Sequence, residues 1–156
     1  MPNWCDNRIT IHGPKKYIRK IDKIVNENTN GDGLLNYMMP MPTELKDTTS
    51  PSSAAEKKQP VVDGFDNWYD WRVNNWGTKW ELCEFFGMDL QDPEDSDEAT
   101  ISFSCQSAWS PPLGALEYFD MNTECSVKCT YYEGGMDFMG IWSVSYTHLT
   151  LPTNRC

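Results

Sequence analysis

The chain has 156 residues, 39% of them hydrophobic, with seven Trp, seven Tyr and six Phe, which suits one core built on aromatic rings that each hide roughly 150–250 Å². Its formal net charge of -10 argues against holding DNA or RNA by the phosphates, since that needs a positive field, and favours a protein partner. No apolar run approaches the ~20 residues that cross a bilayer, and the start lacks the basic and apolar regions of a signal peptide, so a cytoplasmic location without membrane contact is expected.

Residues 3–11 alternate Cys5, Asn7, Ile9 and Ile11 with Trp4, Asp6, Arg8 and Thr10, the period of a strand. Gly13-Pro14 then opens a helix whose Tyr17, Ile18, Ile21, Ile24 and Val25 form one apolar stripe, and Asn28 to Gly33 are turn formers that end it. Leu34 to Met39, stopped by Pro40 and Pro42, reads as a short edge strand. From Lys46 to Gln59 there is no apolar periodicity, which predicts an exposed loop; a Trp-rich stretch follows, helical in part and broken at Asn75-Trp76-Gly77. The acidic run from Gln91 to Glu98 reads as a solvated loop, so residues 46–98 together form an insertion. Ile101, Phe103 and Cys105 alternate with Thr100, Ser102 and Ser104 and predict a central strand over 99–106. Ser110-Pro111 reads as a helix N-cap and first turn, with Leu113, Leu116 and Phe119 buried and an end near Asn122. Cys125 to Glu133 and Met136 to Trp142 then flank Gly134-Gly135, a two-residue loop suited to a tight hairpin. The order β-α-β, insertion, β-α-β-β predicts an α+β fold of the split βαβ kind: one antiparallel sheet of four or five strands with the two main helices on one face.

Four blocks carry a resemblance: the opening Met1-Pro2-Asn3-Trp4-Cys5-Asp6-Asn7-Arg8-Ile9-Thr10-Ile11-His12-Gly13, then Asn75-Trp76-Gly77-Thr78-Lys79-Trp80, Trp109-Ser110-Pro111-Pro112, and Tyr132-Glu133-Gly134-Gly135. In this order they resemble the YubB ferredoxin-like family over residues 1–142. The resemblance implies a single ferredoxin-like domain over 1–143, of the kind carried by phages, prophages and conjugative plasmids in a bacterial host cell, with no attached activity. "Ferredoxin-like" names a fold here, and the cysteine spacings fit no iron–sulfur motif. Val144 to Thr153 resembles a translated sequencing-adapter read-through, so residues 144–156 are expected to be a non-native tail that replaces the natural C-terminus.

With His148 in that tail, His12 is the one histidine left for acid–base work, and no nucleophile motif stands beside it; a non-enzymatic role without cofactor or metal is expected. Without a secretion signal, Cys5, Cys83, Cys105, Cys125, Cys129 and Cys156 read as reduced thiols, with Cys5 and Cys105 packed inward and inert. A zinc site from Cys125, Cys129, His12 and one more cysteine lacks the tight ligand pairs that structural zinc brings, and the Asp92–Glu98 run lacks the Gly and the distal Glu of an EF-hand. The candidate partner-binding residues are Asn75, Trp76, Gly77, Thr78, Lys79, Trp80 and Trp109, where Trp and a cation flank a flexible Gly-Thr; the plainer reading of Trp76, Trp80 and Trp109 is a cover over one end of the sheet. The expected function is an accessory protein that binds a host or phage protein, with acidic surface suited to inhibiting a nucleic-acid-handling defence enzyme. The alternative is an RRM-like RNA or single-stranded DNA binder on the sheet face, kept open by the basic cluster of Arg8, Lys15, Lys16, Arg19, Lys20 and Lys23.

Overall fold

Alternation along the first strand organises the molecule, a computed structural model that describes residues 3–27 and 33–144. β1 (Trp4–Pro14) turns Cys5, Asn7, Ile9 and Ile11 inward, and all four are buried. It pairs antiparallel with β3 (Glu98–Ala108) on one side and β4 (Ser126–Glu133) on the other, and β2 (Cys83–Gln91) and β5 (Phe138–Ser143) complete one five-stranded antiparallel sheet in the order β2-β3-β1-β4-β5. The register is consistent across strands. Ile9 faces Phe103 and Cys129, and Cys129 faces Trp142, so inward residues meet inward residues.

Two helices seal that inward layer. α1 (Lys15–Glu27) buries Ile18, Ile21, Ile24 and Val25, and α4 (Leu113–Asn122) buries Ala115, Leu116 and Phe119 in the same core. Tyr17 of α1 meets Phe119 of α4 edge-on at 5.8 Å between ring centroids. The inward cysteines behave as hydrophobes: burial pushes the Cys5 thiol up to about 12, and burial likewise raises Cys105 and Cys129.

Several elements depart from the expectations. Leu34 to Met38 form a short helix, α2, and not an edge strand. Leu34, Leu35 and Met38 bury together at helical spacing, and the Glu81 carboxylate accepts the Leu35 and Asn36 amides at 2.9 and 2.8 Å, holding the first turn from outside. The strand that follows the first helix is β2, inside the span read as an insertion; that crossover carries α2, the loop from Lys46 to Gln59 with its 3-10 turn at Ser52–Ala54, and α3 (Trp68–Asn75). Ser110 does not cap α4. Its hydroxyl donates to the Gly77 carbonyl, while the Gly114 and Ala115 amides at the helix start donate to the Trp76 carbonyl at 3.1 and 3.3 Å. The hairpin loop has four residues, 134–137, with the left-handed conformation at Asp137, φ 57°. Glu133, buried, receives the Gly135 and Met136 amides on its carboxylate, both at 2.7 Å, which selects this wider turn. The turn formers at 28–32 and the tail from Ser145 lie outside the described residues.

The two charge runs of the sequence meet. Asp92, after β2, accepts from Arg19 Nε at 3.0 Å and pairs with Lys15 Nζ at 3.2 Å, so the arginine first and the lysine second hold its carboxyl below the usual carboxylate range. Part of the basic patch is thereby neutralised within the chain.

Candidate functional site

The candidate residues, about thirty positions apart in sequence, come together at one end of the sheet, where the C-terminus of α3 docks on the N-terminus of α4. Trp76 is fully buried: its ring lies edge-on to Trp71, its Nε1 donates to the Met39 carbonyl at 2.8 Å, and the Arg72 guanidinium covers its face. Arg72 is sandwiched between Trp68 and Trp76, and its Nε has no partner. Burial pulls Arg72 down and pushes neighbouring Glu81 up, each charge opposing the other's shift. Thr78 is buried with its hydroxyl on the Ala108 carbonyl, Asn75 donates to the Trp71 carbonyl, and Gly77 turns at φ +92° against the Pro111 carbonyl. These four residues anchor the block. They leave Lys79, Trp80 and Trp109 as the part that meets solvent.

That remainder is a built surface. The Lys79 ammonium sits 4.3 Å from the centroid of Trp80 and 4.1 Å from that of Trp109, between two rings that are 37% and 45% exposed. Trp4, on β1, extends the stack with its ring 6.1 Å from Trp80. The backbone of Trp109 is left-handed, φ 69°, a conformation costing a bulky residue about 1–2 kcal/mol. The Trp109 amide donates to the Asn3 carbonyl at 2.8 Å, which helps hold the strained residue with its ring outward.

From Trp4 the outward face of the sheet continues as a grid. Register sets Met139, Tyr132, Asp6, Gln106 and Cys83 in one row, and Ile141, Thr130, Arg8, Ser104 and Phe86 in the next. A groove of about 460 Å³ runs over these rows. Phe86 forms one wall at 60% exposure, and Tyr132, Met139 and Ile141 form the other. The floor is low because Ser104 and Thr130 are short and Arg8 lies over, donating to the Gly87 carbonyl at 2.8 Å and to Ser104 at 3.1 Å.

Comparison of the chain with protein-family models, with curated proteins and with solved structures finds no match.

Composition marks the Trp block but gives no sign of the groove. Tyr131 and Phe138 lie in or against the core, meeting edge-on at 6.2 Å, and Tyr131 crosses over Gly140. The outward aromatic is Tyr132. Its position follows from the alternation that turns Val127, Cys129 and Tyr131 inward. Phe86 has no such signal, because left-handed residues at Glu84 and Gly87 and two register shifts break the alternation of β2. His12 stands outward and exposed, hydrogen-bonded to Thr100, while Cys125 lies against Gly13 and Cys129 in the core, so the three do not converge. Among the described residues no helix is long and apolar enough to cross a membrane.

Proposed function

We propose that this is a ferredoxin-like, YubB-like accessory protein, of the kind mobile elements carry, that acts by binding a protein partner and not by catalysis. The fold assignment is supported by the antiparallel order β2-β3-β1-β4, with α1 between β1 and β2 and α4 between β3 and β4; β5 adds one strand at the edge. The observation that carries the function is the Trp80–Lys79–Trp109 stack on a left-handed Trp109. Trp is the residue type most enriched where binding energy concentrates, and backbone strain retained at an exposed ring is a mark of a functional position. A net charge of -10 supports a partner with a basic surface, such as the nucleic-acid channel of a defence enzyme.

The RRM-like alternative has less support. RRM platforms stack bases on aromatics along the two central strands, whereas β1 and β3 present Asp6, Arg8, Thr10, Ser102 and Ser104 outward over their middle, and Trp4, at the start of β1, stacks on Trp80 instead. A pull-down from host lysate at low salt, with and without nuclease, tests the reading. Protein bands that survive nuclease and vanish with Trp80→Ala/Trp109→Ala support it; recovery that nuclease abolishes overturns it in favour of nucleic acid.

A further inference from the structure

We propose that the groove on the outward sheet face seats a basic amphipathic helix carried by the protein partner, an inference that rests on the partner-binding reading above. The dimensions fit. Phe86 and Ile141 end a row that crosses all five strands, and four inter-strand steps of about 4.8 Å set them about 19 Å apart. Subtracting the reach of the two side chains leaves room for one helix, about 10–12 Å across with its side chains. The floor of Ser104, Arg8 and Thr130 offers no projection that would hold a helix off the sheet. An apolar stripe at i, i+3, i+4 and i+7 would run along the groove between Phe86 and the Tyr132, Met139 and Ile141 wall.

The chemistry of the rim selects the flanks of that helix. Met139 on β5 is exposed in the wall, and a thioether adapts to varied apolar stripes. Asp6 lines the groove with its carboxylate accepting from Gln106, and Asp89, after Phe86 on β2, and Asp137, before Met139 in the hairpin, stand near it, so three carboxylates outnumber Arg8, which donates to the Gly87 carbonyl and the Ser104 hydroxyl and keeps its positive charge on the floor. Lys128 is the one lysine in the adjoining row. Within a chain of net charge -10, this rim favours Lys and Arg beside the apolar stripe and disfavours Asp and Glu. A nucleic-acid strand would bring its phosphates against the same carboxylates.

Two fluorescently labelled model helices with one leucine stripe, polar faces of lysine or glutamate, and a labelled oligo-dT test the groove by anisotropy. They are titrated against the whole chain and against Met139→Ser/Ile141→Ser, a change at exposed positions that leaves charge unaltered and whose thermal midpoint is checked alongside. The lysine helix should bind, the glutamate helix and oligo-dT should not, and the double variant should weaken binding about tenfold or more. Equal binding of the lysine helix to both proteins would reduce the attraction to charge and overturn the inference, as would absence of binding. Tighter binding of oligo-dT, or a concentration-dependent dimer that the double variant abolishes, would overturn it by naming another occupant. The partner-binding reading is judged separately, by the loss of nuclease-resistant bands with the Trp80 and Trp109 variant.

Discussion

Trp109 offers a test of strain in which two substitutions at one position are compared. Trp109→Ala and Trp109→Gly both remove the indole, so both lose its packing and its contact with Lys79, and both keep the amide that donates to Asn3. What differs is the backbone at φ 69°. A left-handed alanine costs about 1–2 kcal/mol, while glycine loses about 0.5–1 kcal/mol more entropy on ordering. The glycine variant should therefore be the more stable by about 0.5–1 kcal/mol, or about 1–4 °C in thermal midpoint for a domain of this size. At an ordinary position the sign is reversed. Paired thermal melts by circular dichroism read the difference directly, and an alanine variant that melts above the glycine variant would refute the left-handed geometry and the argument for function built on it. Both variants should lose the partner in the pull-down, since both lack the ring.

Ile21→Ala should destabilise by about 2–5 kcal/mol, measured by urea unfolding, because Ile21 is wholly buried between α1 and the sheet. Glu133→Gln keeps the shape of the hairpin-capping side chain but gives up the charge on two short amide bonds, with an expected loss of about 1–3 kcal/mol in the same assay. Stability should also fall as pH rises above about 9: Cys5, Cys105 and Cys129 have folded-state values raised above their ordinary one by burial, so the unfolded chain loses thiol protons first. The slope approaches about 1.4 kcal/mol per pH unit for each such thiol, and thermal melts at stepped pH should show it flattened in a Cys5→Ala/Cys129→Ala variant.

Alternation and helical spacing are local properties of the chain, so β1, β3, β4 and the stripes of α1 and α4 are legible in the residues alone. Their strong period leaves one way to face a core, and an antiparallel sheet with long helical crossovers follows from their order. What fails locally fails for tertiary reasons. Leu34 to Met38 is helical because Glu81, more than forty residues away, satisfies its first amides. Ser110 looks like a cap, yet α4 takes its acceptor from the Trp76 carbonyl of another helix. Phe86 reaches the outward face through bulges that no periodicity announces.

Composition and spacing mark which residues are unusual: the Trp block, the acidic balance and the inward cysteines. They leave open whether Trp76 touches a partner or the core, because a tryptophan's burial depends on what packs over it. Here Arg72 and the start of α4 close that space, while Lys79, Trp80 and Trp109 remain outside. The groove belongs to the tertiary structure alone. Its walls come from β2, β4 and β5 and its floor from β3, β1 and β4, and only the register across all five strands sets Phe86 and Ile141 at opposite ends of one row.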